Sequence, residues 1–191
     1  MFQELLIKLA RALDDARIPY MVIGGQAVLI HGEPRLTRDI DVTLGVDASQ
    51  LARVRTAIQT IGLRPVVEDA EDFVRKTNVF PLSAESTPIR IDLIFSFTPY
   101  EAEAIRRAVG IRFGDATVRF AAVEDLIIHK MVAGRPRDIE DVRGVLAREP
   151  VLDEPYVRRW LSSFSEVVHR DLNSGYLVLK REHEADRGGA E

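Results

Sequence analysis

The chain has 191 residues, of which 46% are hydrophobic, and it carries a formal net charge of −4 at pH 7. This length and composition suit one globular domain, or one domain with a helical appendage, and no apolar run reaches membrane-spanning length. The absence of cysteine excludes disulfides, thiolate metal sites and thiol nucleophiles, while the negative net charge excludes a surface that is basic overall, so an RNA partner would need a local basic patch.

The first half of the chain is predicted to alternate helices with short strands. Apolar residues at helical spacing predict a first helix over residues 2–16. This segment has acidic residues and lacks the basic start of a signal peptide, so we expect a cytoplasmic protein. A short strand then ends at Gly24 and Gly25, and a helix follows. Residues 39–44 are predicted to form a strand and residues 47–61 a crossover helix.

The second half is predicted to begin with strands and to end with helices. Two β-rich runs, 73–80 and 88–96, are joined by a polar segment, which indicates antiparallel strands. A short helix after Pro99 and a strand pair near 111–120 follow. Three further helices are expected near residues 122–133, 136–147 and 154–168.

We therefore predict an α/β (α+β) fold in three parts. Residues 1–121 would form a core with a small mixed sheet flanked by helices. Residues 122–180 would form a C-terminal helical segment packed on that core. Residues 181–191, which are rich in charge and glycine, are predicted to be a disordered tail.

A glycine pair followed by an Asp-Ile-Asp triplet is the most informative motif of the chain. In a strand, the carboxylates of Asp39 and Asp41 leave the same face, while Ile40 points to the other face. Two carboxylates this close repel each other unless a cation neutralises them, and Mg²⁺ prefers such oxygen ligands. Gly24 and Gly25 would let backbone N–H groups approach a phosphate at a helix start. The motif therefore predicts a metal-assisted phosphate site.

A third acidic residue, Asp92, lies in the β-rich run IRIDLIFS. It alternates with the apolar residues Ile91 and Leu93, and an acid in such a strand needs a partner. Two interpretations remain open at this point. Asp92 either joins the metal site or lies on a solvent face beside Arg90.

Together these residues resemble the nucleotidyltransferases of the DNA polymerase β superfamily. That pattern is a hydrophobic residue, Gly, then Gly or Ser, a spacer, Asp-hydrophobic-acid-hydrophobic, and a third acid on a later strand. The segment over residues 124–142 further resembles minimal bacterial members, which include abortive-infection type toxins and small antibiotic-modifying enzymes. The chain differs from many members in having Gly25 where they have Ser. The matching residues are Ile23, Gly24, Gly25, Asp39, Ile40, Asp41, Val42 and Asp92.

The resemblance implies a polymerase-β-like nucleotidyltransferase fold and a Mg²⁺-dependent transfer of an NMP from an NTP to a hydroxyl. Asp39, Asp41 and Asp92 would be the metal ligands, and Asp92 would also face the acceptor hydroxyl. The backbone of Gly24 and Gly25 would bind the nucleotide phosphates.

Three further residues have two interpretations each. Arg38 is either an ordinary loop arginine or a contact to the triphosphate. Lys130 borders an apolar helical stripe, where lysine usually extends its amine to solvent, but the resemblance implies a catalytic phosphate contact. Asp138 would belong to the nucleotide-binding residues by holding Lys130 or Arg135, although an acid at a helix start also stabilises the helix dipole.

Four functions are compatible with these residues. The first is a toxin–antitoxin type enzyme that acts on tRNA or another RNA and has an antitoxin protein as partner. The second is an antibiotic nucleotidyltransferase of the aminoglycoside or lincosamide type, and the third is a protein adenylyltransferase. The fourth is a non-catalytic NTP-binding scaffold, which would have little need for three clustered acids.

Overall fold

The structure is a computed structural model that describes residues 2–84, 87–148 and 151–188. The chain divides into two compact units. We call Met1–Gln26 with Leu36–Ala121 the sheet unit, and Ala27–Arg35 with Ala122–Glu191 the helical unit. None of the helices in the described ranges has an apolar stretch of membrane-spanning length.

The sheet unit contains one mixed sheet, which has seven strands in the part of the chain that is described. The order across the sheet is β3-β4-β5-β2-β1-β7-β6, so β2 with its Asp-Ile-Asp triplet is the central strand. β2 pairs in parallel with β5, and β1 pairs in parallel with β7, whereas the other neighbours are antiparallel. The strands are β1 (Tyr20–Ile23), β2 (Asp39–Leu44), β3 (Leu63–Pro65), β4 (Val79–Ala84), β5 (Thr87–Phe95), β6 (Val109–Phe113) and β7 (Ala116–Phe120).

Strand alternation explains which side of the central strands forms the core. Ile40 and Val42 of β2 and Ile91 and Leu93 of β5 are fully buried. Successive side chains of a strand point to opposite faces, so the residues between them lie on the other face. The helices of this unit are α1 (Phe2–Asp15), α3 (Leu51–Gln59), α4 (Ala70–Thr77) and α5 (Pro99–Arg107), with a 3₁₀ turn at Ala48–Gln50 before α3.

The helical unit has its own apolar core. Its helices are α6 (Val123–Ala133), α7 (Pro136–Arg148), α8 (Glu154–Val168) and α9 (Leu172–Gly188), and it also includes the end of α2 (Gly24–His31). Gly134 ends α6 in the left-handed conformation, and Pro136 begins α7, which is the usual placement of these two residue types at helix ends. The core includes Leu126, Ile127, Val142, Val145, Leu161 and Tyr176.

Most of the predicted elements are present. The strand predicted over 39–44 has the same bounds as β2, and the predicted pair near 111–120 is β6 and β7. β4 and β5 are antiparallel, as expected. The helices α1, α5, α6, α7 and α8 lie within a few residues of their predicted positions. The mixed α/β architecture is therefore confirmed.

The strand predicted over 73–80 is wrong in its first part, because residues up to Thr77 belong to α4. The Asp69 carboxylate caps this helix by accepting a hydrogen bond from the backbone N–H of Asp72. Asn78 ends it in the left-handed conformation. These caps outweigh the strand preference of the apolar residues, and the strand begins only at Val79.

The expected tail also differs from the structure. Residues 181–188, predicted to be disordered, are the last turns of α9. Arg143 of α7 pairs with Glu182 of α9 at 3.0 Å, a contact between residues 39 positions apart that helical spacing alone does not predict. Residues 189–191 of the predicted tail lie outside the described residues.

Candidate active site

The acidic motif lies on one face of the two central strands of the sheet unit. Asp41 of β2 lies directly opposite Asp92 of β5 in the parallel register, and Asp39 lies opposite Arg90. Directly paired residues share a sheet face, and neighbouring strands are ~4.8 Å apart. The register thus gathers three carboxylates and one guanidinium on one face, which we call the acidic face (Asp39, Asp41, Arg90, Asp92).

Gly24 provides a space that the Asp41 carboxylate fills. Gly24 has a positive φ of 63°, and a Cβ atom there would lie 2.1 Å from Asp41 Oδ2. Only glycine adopts this backbone conformation readily and leaves the carboxylate its place. Gly24 is also the first residue of α2, and Gly25 behind it is buried. The first N–H groups of a helix have no partner within the helix, so this end of α2 is suited to bind an anion.

Arg90 forms an ion pair within the acidic face. Its Nε donates a hydrogen bond to Asp92 Oδ1 at 3.0 Å. This hydrogen bond and the charge of Asp92 raise the pKa of Arg90, with smaller contributions from Asp39 and Asp41. Both interpretations of Asp92 from the sequence therefore describe part of the geometry, since Asp92 lies on the acidic face and also beside Arg90.

The acidic face suits a hard divalent cation by its chemistry, because all of its acidic donors are carboxylate oxygens. In the described ranges, however, no three His, Cys, Asp or Glu side chains are gathered closely enough to hold a metal ion. One oxygen of Asp92 is engaged by Arg90 instead. The metal-binding role of Asp39, Asp41 and Asp92 stays a prediction.

Arg38 precedes the acidic strand directly and is exposed. The loop around it is also exposed, with Leu36 75% accessible to solvent. This position agrees with both interpretations of Arg38, an ordinary loop arginine and a phosphate contact.

The helical unit brings together three buried charged side chains and one half-buried arginine, which we call the Lys130 cluster (Lys130, Asp138, Asp141, Arg35). Lys130 Nζ lies 2.8 Å from Asp138 Oδ1 and 2.7 Å from Asp141 Oδ2. Arg35 reaches Asp141 through two hydrogen bonds, from Nε at 2.7 Å and from Nη2 at 3.0 Å. Two positive and two negative charges balance, so the cluster can be buried without a net charge.

Burial and pairing act in opposite directions on Asp141. Desolvation raises its pKa, but the hydrogen bonds from Arg35 and Lys130 outweigh that effect and hold the pKa below its usual value. Asp141 is therefore ionised in the folded protein at neutral pH. It is the residue that joins Arg35 to Lys130.

The sequence predicted part of this cluster. The contact between Lys130 and Asp138 is confirmed, and Asp138 also accepts a hydrogen bond from the backbone N–H of Arg135 at 3.2 Å. Lys130 does not extend its amine to solvent, since only 9% of its side chain is exposed. Arg35 and the strong involvement of Asp141 were missed. The available signal was that Asp138 and Asp141 are three residues apart, which places both on one helix face.

His129 precedes Lys130 in α6 and is only partly exposed. Loss of hydration lowers its pKa to about 4, and the neighbouring charge of Lys130 acts in the same direction. The imidazole is therefore neutral at physiological pH. This agrees with a packed histidine rather than a proton donor.

The solved structures that share the fold of this chain include the following three. ANT(2″)-Ia in complex with adenylyl-2″-tobramycin is 18% identical, with a TM-score of 0.57 over 86% of this chain and 97% of that one. An antigenic nucleotidyltransferase-like protein from Paracoccidioides brasiliensis is 15% identical, with a TM-score of 0.55 over 93% of this chain and 92% of that one. MenT4, a nucleotidyltransferase toxin from Mycobacterium tuberculosis H37Rv, is 16% identical, with a TM-score of 0.50 over 85% of this chain and 63% of that one.

The fold is thus that of nucleotidyltransferases, as the resemblance implied. No curated protein sequence matches the chain significantly. The sequence model of one family, described as "Nucleotidyl transferase AbiEii toxin, Type IV TA system", matches residues 8–187. The protein is a nucleotidyltransferase and belongs to the AbiEii toxin family.

Proposed function

We propose that this nucleotidyltransferase transfers an NMP from an NTP to a hydroxyl of tRNA or another RNA, with Mg²⁺, as the toxin of a toxin–antitoxin pair. The observation that carries the proposal is the parallel register of β2 and β5, in which Asp92 lies directly opposite Asp41 on the face that also bears Asp39. The family match to toxins of type IV systems supports the biological setting and an antitoxin protein as partner.

The acidic face would supply the chemistry of the transfer. Asp39 and Asp41 would hold one Mg²⁺ at the triphosphate, and Asp39, Asp41 and Asp92 would share a second Mg²⁺ at the α-phosphate. Bound there, Mg²⁺ would lower the pKa of the acceptor hydroxyl and neutralise charge on the departing pyrophosphate. Asp92 would orient the hydroxyl and accept its proton, since a carboxylate beside the reacting oxygen serves as a general base.

Other residues would hold the nucleotide. The backbone N–H groups of Gly24 and Gly25 would contact phosphate oxygens at the start of α2. The exposed guanidinium of Arg38 suits phosphate through its planar fork. Lys130, held by Asp138, would supply the phosphate contact that the resemblance implies, since its ammonium offsets phosphate charge. NTPs and tRNA are cytoplasmic, so we propose that the enzyme acts there.

The test measures transfer of label from each α-labelled NTP in the presence of Mg²⁺. Total tRNA, cell protein and an aminoglycoside are supplied as acceptors in separate reactions. The variant Asp39→Asn, Asp41→Asn should lose at least about 100-fold in transfer, because it removes two charges from the metal face. The matched control Asp15→Asn, Asp115→Asn removes two exposed carboxylates from the same unit and should retain activity.

The acceptor that becomes labelled decides among the functions. Label on tRNA or another RNA supports the proposal, and label on the aminoglycoside or on protein would replace it with an antibiotic-modifying or protein-modifying enzyme. Transfer that survives in the Asp39→Asn, Asp41→Asn variant would refute the role of the acidic face.

A further inference from the structure

Arg90 supplies a positive charge to the acidic face itself. It lies opposite Asp39 across the β2–β5 pair and two residues before Asp92 on its own strand, so two carboxylates flank it. Its Nε donates to Asp92 Oδ1 at 3.0 Å. A face that would otherwise carry three negative charges thus carries a net charge of −2 when Arg90 is included.

Within the described residues of β4, no acidic side chain lies on this face. Ser83 of β4 lies opposite Arg90, and Pro81 lies opposite Asp92. Both are uncharged, so the side chains directly opposite Arg90 on its two neighbouring strands are Ser83 and Asp39. The charge of Arg90 is therefore directed at the acids that a metal ion would need.

The exposure of Arg90 allows its side chain to release Asp92. About 57% of its side chain is exposed, against 20% for Asp92. An arginine with this exposure can change rotamer into solvent with little loss of packing, and its ion pair is screened by water. Asp92, on a central strand between two neighbours, has far less freedom to move.

We propose that Arg90 competes with the divalent cation for Asp92, so that the acidic face fills with metal only when Arg90 releases that carboxylate. This inference rests on the proposed function, because it takes the acidic face as the metal site. Arg90 acts through Asp92 and is a positioning residue. It raises the concentration at which metal alone occupies the site.

The magnitude follows from the exposure of the pair. An ion pair of this exposure contributes up to about 1 kcal/mol, which corresponds to about fivefold in an equilibrium constant. Removing the charge of Arg90 should therefore tighten metal binding about fivefold. A lysine in its place keeps the charge but lacks the planar fork, so the gain should be smaller.

The experiment measures Mn²⁺ binding to the full chain without nucleotide, by the free-Mn²⁺ signal in electron paramagnetic resonance. The proteins are the natural chain, Arg90→Gln, Arg90→Lys and the control Arg112→Gln. Arg112 lies on β6, four strands from β5 and so ~19 Å away, beyond the ~10 Å screening length at 0.1 M salt. The control therefore has the same loss of charge without the local contact.

We expect a dissociation constant about fivefold lower for Arg90→Gln, an intermediate value for Arg90→Lys and no change for Arg112→Gln. If the natural chain binds Mn²⁺ and Arg90→Gln binds it equally or more weakly, the competition is refuted while the metal site stands. If none of the proteins binds Mn²⁺, the metal site of the proposed function is refuted together with the inference. A similar gain in Arg112→Gln would show a general charge effect and also refute the inference.

Discussion

The Lys130 cluster makes a strong prediction for protein stability. Replacing Asp141 by asparagine keeps the size of the side chain but removes the charge that pairs with both Lys130 and Arg35. Asp138 then remains as the carboxylate partner of Lys130. Lys130 and Asp141 are 9% and 4% exposed, so water cannot replace the lost carboxylate at the ammonium.

Removing one partner of a buried ion pair costs about 3–5 kcal/mol of the free energy of unfolding. Arg35 is 22% exposed and can turn partly to solvent, so we expect the lower end, about 3 kcal/mol, for Asp141→Asn. The double variant Lys130→Met, Asp141→Asn removes one charge of each sign. It should lose less than the sum of the two single variants, because both single changes break the same Lys130–Asp141 ion pair, which the sum therefore counts twice.

The assay is urea unfolding followed by fluorescence of Trp160, the single tryptophan of the chain, which lies on α8 of the helical unit. The control Glu182→Gln removes a carboxylate from the exposed pair with Arg143 in the same unit. It should change the free energy of unfolding by less than about 0.5 kcal/mol. An Asp141→Asn variant as stable as this control would refute the buried cluster.

Two further predictions concern Gly24 and His129. Gly24→Ala should lose at least about 100-fold in nucleotidyl transfer, because its Cβ displaces the Asp41 carboxylate. The control Gly114→Ala has the same φ, with open space around the Cβ. It should show a backbone strain of ~1 kcal/mol in the free energy of unfolding and retain transfer. Equal loss of transfer in both glycine variants would contradict the steric argument. As the pH falls from 6.5 to about 4, the natural chain should lose about 2–3 kcal/mol relative to His129→Gln, since the unfolded histidine binds a proton that the folded one excludes. If the urea unfolding midpoints of the two proteins change equally with pH across this range, His129 is not desolvated.

Local patterns predicted the central features of the site. The two-residue period of a strand placed Asp39 and Asp41 on one face and Ile40 on the other, and the structure has this arrangement. The prediction succeeded because β2 is a regular strand whose apolar side is completely buried. Period alone does not show that Asp92 lies opposite Asp41, but the resemblance to nucleotidyltransferases did imply a third acid on a neighbouring strand.

Three features of the structure were outside the reach of these patterns. Arg35 and Asp141 are 106 positions apart. The spacing of residues within a helix or strand does not predict that an arginine in a loop pairs with an acid in a distant helix. The helix over Ala70–Thr77 was missed because two caps decided between helix and strand for a short segment with mixed preferences. The last turns of α9 were missed because the charged composition of residues 181–188 suggested a solvated tail.

The sequence by itself determined the nucleotidyltransferase motif, the alternation of the acidic strand and the order of most helices and strands. These properties depend on residues close together in the chain, where the geometry of a strand or helix leaves few choices. The tertiary structure decided the partners of the charged groups. It placed Arg90 against Asp92 and closed the Lys130 cluster. Charge pairing depends on distance in space, which the spacing of residues along the chain does not specify.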